Sequence, residues 1–208
     1  EATASLWAEF RQWQPCLDTL DALRADGPLR SIDPLLLASS ALQELGRPAE
    51  ALNLLREAQR LNPSHPTLQN NLGYLLLELD HDLPEASTLI AAALKQEPDN
   101  PSTLDSWGWA LFKQKRYAEA EPVLRRAAGL QPLNPEVLKH FGEALLHLDR
   151  KAEALDQWER ALAFAFPERK ALERRVQQLR ADLARQQPSE EPEPEPDPET
   201  TDEGEERR

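Results

Sequence analysis

Apolar residues recur along this chain as paired helical stripes. In residues 101–134, Leu104, Trp107, Gly108 and Leu111 stand at i, i+3, i+4 and i+7, one face of a helix. Gln114-Lys115-Arg116 interrupts the pattern. Ala120, Leu124 and Ala127 then resume it at i, i+4 and i+7. Pro132 closes the block, because proline lacks the N–H that would continue the helix. The same block is found along the chain. Cys16, Ala51, Ala86, Ala120 and Ala154 are spaced by 35, 35, 34 and 34 residues, and Leu23, Ala58, Ala93, Ala127 and Ala161 by the same steps. Two further tracks, Ser39, Gly73, Gly108, Gly142 and Pro28, Pro63, Pro98, Pro132, run in phase with them. A fixed period of this size predicts a stacked array of helix pairs. The small residues at the Gly108 and Ala120 positions let the two helices of a pair approach closely, and larger residues between them fill the space.

Local punctuation supports these boundaries. Asn100-Pro101 and Asn134-Pro135 read as an N-cap followed by a proline at the first helical position. Pro48 and Pro84 are expected to open second helices in the same way. Pro122 is expected within the first turn of its helix, where a missing N–H costs little.

The residues resemble the tetratricopeptide repeat, whose pattern is W-x2-L-G-x2-Y, then A-x3-F, then A, then P. Residues 32–65 carry Leu35, Ala38, Ser39, Leu42, Ala51, Leu55, Ala58 and Pro63 at the signature positions. Residues 66–100 carry Gln69, Leu72, Gly73 and Leu76, then, after a one-residue insertion, Ala86, Ile90, Ala93 and Pro98. Residues 101–134 carry Leu104, Trp107, Gly108, Leu111, Ala120, Leu124, Ala127 and Pro132. Residues 135–168 carry Leu138, Phe141, Gly142, Leu145, Ala154, Trp158 and Ala161, with Pro167 one place late. Gln69 and Ser39 depart from the pattern. The resemblance implies an all-α fold, a right-handed α-solenoid of helix-turn-helix units.

Both ends of the chain differ from the middle. Residues 1–31 fit the later part of a repeat, with Leu6, Trp7, Phe10 and Trp13 making an apolar rather than a polar edge. That edge predicts additional upstream repeats or a partner, including a second copy, covering it. Residues 169–187 keep one apolar stripe, Leu172, Val176, Leu179 and Leu183, opposite a charged face, and are expected to form a capping helix. Residues 188–208 alternate Glu and Pro and hold ten acidic residues against two arginines, which predicts a disordered acidic tail.

Charge and composition narrow the function. The net charge is −13, of which the tail holds −8, leaving a mildly acidic body. Nucleic-acid binding calls for a basic stripe, and a mildly acidic body argues against it. No apolar run approaches the ~18 residues of a membrane span, and no signal peptide is visible. The single cysteine, Cys16, excludes an internal disulfide and occupies a core-facing position. Arginine outnumbers lysine 18 to 6, a bias that hints at a bacterial source.

The chain shows no assembly of catalytic groups. Its seven glycines form no phosphate-binding loop. His140, Glu143 and His147 share a helix face, and Asp105 is the nearest further ligand, but the spacing is not that of an H-E-x-x-H zinc site. The repeat geometry alone explains their alignment. No enzyme, metal or cofactor is expected.

The resemblance implies that repeat positions 2, 5, 6, 9, 12 and 13 of each first helix face a concave groove. Carried onto this sequence, the groove shows Leu36, Ser40 and Gln43, then Asn70, Asn71, Tyr74, Leu77 and Glu78, then Asp105, Ser106, Trp109, Phe112 and Lys113, and finally Lys139, His140, Glu143 and His147. Aromatic residues in such a groove would anchor a partner, and Asn70 and Asn71 offer donors and acceptors to a peptide backbone. Some members clamp a C-terminal carboxylate with Lys and Arg. Leu36, Ser40, Asp105 and Trp109 stand at those positions here, so that clamp is absent. The expected function is a scaffold or adaptor binding a protein or peptide in the groove. The alternative is a structural subunit that self-assembles through its N-terminal edge. Asp105 to Leu111 and Gln157-Trp158 are similar to stretches of long bacterial tetratricopeptide proteins, several of which are envelope lipoproteins serving as adaptors. The compartment, cytoplasm or envelope, stays open.

Overall fold

The computed structural model describes residues 13–25, 27, 29, 31–166 and 168–186. Among them are ten α-helices and no strand. We number them α1 Trp13–Ala25, α2 Asp33–Glu44, α3 Pro48–Leu61, α4 Pro66–Glu78, α5 Leu83–Gln96, α6 Pro101–Lys113, α7 Tyr117–Leu130, α8 Pro135–His147, α9 Lys151–Ala161 and α10 Arg169–Gln186. Each of α1 to α9 packs on the helix that follows it, and the first helices α4, α6 and α8 also pack side by side. The result is an α-solenoid, with first helices on the inner face and α10 on the last pair.

The apolar stripes become the core. Ala51, Ala86, Ala120 and Ala154 are fully buried, as are Leu55, Ile90, Leu124 and Trp158 one turn later. Opposite them lie Ser39, Gly73, Gly108 and Gly142. A Cβ built on Gly108 would sit 2.5 Å from Leu124 Cγ, and one on Gly73 would sit 2.6 Å from Ile90 Cγ1. Glycine at these positions is a packing requirement set by the residue across the pair. Ser39 is buried in the same place, and its hydroxyl donates to the Leu36 carbonyl at 2.8 Å. Trp107 packs against both of the clusters that make up the core and so joins the two halves of the stack.

Asn100 and Asn134 cap as their sequence suggests. The Asn100 side chain accepts from the N–H groups of Ser102 (3.0 Å) and Thr103 (3.2 Å), and Asn134 does the same for Glu136 and Val137. Two proline expectations need correction. Pro84 is the second residue of α5, which begins at Leu83, and Asp82 caps it by accepting from Glu85 N at 3.0 Å. Pro122 is the sixth residue of α7, beyond the first turn. It is tolerated because Pro122 and Ala118, whose carbonyl it leaves without a helical donor, are both exposed to solvent.

The turn inside each pair has a feature that the breaks in apolar pattern did not reveal. Gly46, Asp80, Lys115 and Asp149 all have positive φ, at 70°, 50°, 63° and 59°. The residue after each donates its N–H five residues back, as in Arg116 N to Leu111 O at 3.0 Å. This is the Schellman closure of a helix C-terminus. Only one of the four positions carries the glycine that the conformation favours.

The capping helix buries Leu172, Val176 and Leu179. Its Arg175 guanidinium lies over the Trp158 ring, 4.4 Å from the centroid, and grips both oxygens of Glu143. The N-terminal residues Leu6, Trp7 and Phe10, the Cys16 side chain, Pro28, Pro167 and the acidic stretch 188–208 lie outside the described residues. No helix of the described residues is long and apolar enough to cross a membrane.

Candidate functional site

The inner face of α4, α6 and α8 forms a concave cavity of about 740 Å³, closed at one end by the turn after α2. Asn70, Asn71, Tyr74, Glu78, Asp105, Ser106 and Glu136 line it. Repeat spacing produces this arrangement. Residues 70, 105 and 139 occupy the same position on successive first helices, as do 71, 106 and 140, and packing of those helices side by side brings them into rows.

The row differs from position to position in how much it leaves open. Asn71, Tyr74, Trp109, Phe112, Lys113 and Lys139 are half-buried. Asn70 is only 7% exposed, Asp105 6% and His140 1%. Ser106 is buried, with its hydroxyl on the Ser102 carbonyl at 3.0 Å. Leu77 does not reach the groove. At 1% exposure it belongs to the core cluster that includes Ala110 of α6, because the last turn of α4 lies beneath the next first helix. Glu143 is likewise taken up internally, by Arg175. The family's groove positions assume another first helix beyond α8, and here the capping helix contributes that contact instead.

A polar network runs beneath the open surface. His140 Nδ1 lies 3.0 Å from both oxygens of Asp105. Its Nε2 is 3.6 Å from Glu136 Oε1, an electrostatic rather than a hydrogen-bonding distance. The Tyr74 hydroxyl donates to Glu136 at 3.2 Å, and Lys139 Nζ bridges Glu136 (2.8 Å) and Glu168 (2.9 Å). Burial pushes the His140 imidazole toward neutrality, but the Asp105 and Glu136 carboxylates outweigh it and raise its pKa above the ordinary 6.5. Burial also opposes ionisation of Glu136, yet His140 and Lys139 hold that carboxyl below the usual range. Burial, then the carboxylates of Glu136, Glu78 and Asp105, push the Tyr74 phenol well above its ordinary value, so it stays a neutral donor.

The aromatic strip is partly internal. Trp109 stacks on His140 with ring centroids 4.2 Å apart and on Phe112 at 4.6 Å, both nearly parallel. Its Nε1 donates to Glu78 at 2.9 Å. Phe112 meets His147 edge-on at 5.1 Å, and His147 stacks on Tyr117 at 4.4 Å. Trp109 therefore acts first as a brace between α4, α6 and α8. His140, Glu143 and His147 diverge to Asp105, Arg175 and Tyr117, and among the described residues no three metal-ligating side chains are placed to hold a metal ion.

Sequence reasoning did not name Glu44, Glu136 or Glu168, which also line the cavity. A signal existed for two of them. Glu44 stands thirteenth in its block and Glu136 second, both groove-facing positions of the pattern.

Two models described as tetratricopeptide repeat match the chain, at residues 42–103 and 106–170, together more than half of it. The chain belongs to the tetratricopeptide repeat family. This is a non-enzymatic repeat fold whose members serve as protein-interaction scaffolds. A TPR repeat-containing protein of Pseudomonas aeruginosa is 42% identical over 65 residues, which are 31% of this chain and 11% of that protein. The match thus spans about a tenth of that relative's length. Solved structures share the fold. A thermophilic TPR protein of Thermus thermophilus is 19% identical, with 86% of this chain and 96% of that one covered and a TM-score of 0.67. PilW, a widely conserved type IV pilus biogenesis factor, is 18% identical, with 88% and 85% covered and a TM-score of 0.69. MamA AMB-1 is 20% identical, with 77% and 94% covered and a TM-score of 0.59. At such identities the likeness is one of fold.

Proposed function

We propose that this tetratricopeptide repeat chain is a scaffold that holds an extended segment of a partner protein in the groove along α4 and α6. The observation that carries this reading is a pair of adjacent carboxamides. Asn70 and Asn71 both line the cavity, and neither side chain has a hydrogen bond within the described residues. Buried polar groups are ordinarily paired, so an unpaired Asn70 in a groove wall is suited to the alternating donors and acceptors of a peptide backbone. Tyr74 supplies a half-buried ring beside them. Asp105 and Ser106 form the opposite wall, with Trp109 one turn further along the same helix. Lys113, Lys139, His140 and Glu143 support this surface from behind or beside it. The test is recovery of partners from the native cell by the full chain. Asn71→Ala is expected to reduce recovery while leaving the helical circular-dichroism signal unchanged, and Tyr74→Ala is expected to reduce it further. Undiminished recovery with a folded Asn71→Ala protein would sink the groove model.

A further inference from the structure

We infer that the segment held in this groove is cationic, an extended stretch of a partner protein carrying arginine or lysine side chains. This inference rests on the scaffold reading and adds the chemistry of its partner. Five carboxylates line the cavity, those of Glu44, Glu78, Asp105, Glu136 and Glu168, and no lysine or arginine among the described residues does. Two neighbouring side chains, an imidazole and an ammonium, answer three of them. His140 serves Asp105, and Lys139 is shared between Glu136 and Glu168. Glu78 receives only the neutral Trp109 N–H, and Glu44 has no ion pair within the described residues. The cavity therefore carries uncompensated negative charge, which concentrates cations.

An independent observation points the same way. Asn70 Oδ1 is a buried acceptor with no hydrogen-bond partner among the described residues, in the wall of the same cavity. An orphaned acceptor among carboxylates asks for a donor, and a guanidinium presents five of them in a fixed plane. A carboxylate or phosphate would meet like charge and further acceptors. The same argument excludes the chain's own residues 188–208 as occupant, since they hold ten acidic residues against two arginines.

The test uses the full chain and a fluorescein-labelled dodecapeptide of alternating serine and arginine. The reference peptide has citrulline, neutral and nearly isosteric, in place of arginine. Anisotropy is read at an ionic strength that screens distant charges, where the Debye length is about 8 Å. The arginine peptide is expected to bind about tenfold tighter than the citrulline peptide. Glu44→Gln/Glu78→Gln is expected to weaken it about fivefold. Glu190→Gln/Glu191→Gln, which removes the same charge from the acidic C-terminal stretch, should leave it unchanged. Equal binding of the two peptides, or equal losses from the groove pair and the C-terminal pair, would overturn the cationic assignment. That failure is distinct from failure of the scaffold reading, which is decided by native partner recovery with Asn71→Ala.

Discussion

The close approach of α6 and α7 at Gly108 gives a sharp stability prediction. A Cβ at this position would lie 2.5 Å from Leu124 Cγ, 2.6 Å from Leu124 Cδ2 and 3.4 Å from the Leu124 backbone nitrogen. Carbon atoms settle at about 3.5–4.0 Å, so the helices must separate by about 1 Å or Leu124 must leave its rotamer. Leu124 is fully buried between Ala120 and Ala127 and has no room to turn. Overpacking of this kind costs about 1–3 kcal/mol, while replacing a mid-helix glycine by alanine returns about 1 kcal/mol of helix propensity. Gly108→Ala is therefore expected to be neutral at best and to destabilise by up to about 2 kcal/mol, the difference between those two terms. Gly129 supplies the control. It is also helical, in α7, but a Cβ there meets nothing within 4 Å. Gly129→Ala should stabilise by about 0.5–1 kcal/mol, near the end of the helix where the gain is smaller. Urea titrations followed by far-ultraviolet circular dichroism would place the Gly108→Ala midpoint below that of Gly129→Ala. Equal stabilisation by both would refute the close-packing account of the Gly track.

Two further predictions follow from geometry. Lys115 sits at φ 63° in the α6–α7 turn, so Lys115→Gly should raise stability by about 1 kcal/mol, the order of the left-handed penalty, as read by the same urea midpoint. His140 has a folded-state pKa raised above 6.5 by Asp105 and Glu136, with Lys139 opposing and Tyr74 adjacent as a neutral donor. A raised value means that its stabilisation is fully present below about pH 6.5 and fades as the pH rises through the folded-state value. Urea midpoints should thus fall as the pH is raised above about 6.5, and His140→Gln should flatten that slope; a slope unchanged by the substitution would contradict the charged network.

The groove was legible only in outline. Positions such as Asn71 and Tyr74 could be assigned to the inner face from period alone, because equivalent residues on stacked helices share a direction. Leu77 and Glu143 show where that logic stops. One lies under the following helix and the other meets Arg175 of α10, and neither neighbour is implied by spacing within a repeat. Trp109 holds a groove position by period, but its stacking on His140 and Phe112 depends on neighbours that the period does not specify. The carboxylates of Glu44 and Glu168 are far apart in sequence and line one cavity only because the first helices between them pack side by side.

The sequence by itself determined the unit: two helices per 34 or 35 residues, small residues where they touch, asparagine and proline where first helices begin. These are local rules of helix period, capping and side-chain volume, and they hold wherever the block occurs. Tertiary structure decided which polar residues find partners. His140 is paired with Asp105 and Glu143 with Arg175, while Asn70 is left unpaired in the wall of an acidic cavity. That outcome depends on distances between helices about 30 residues apart, which no local pattern encodes.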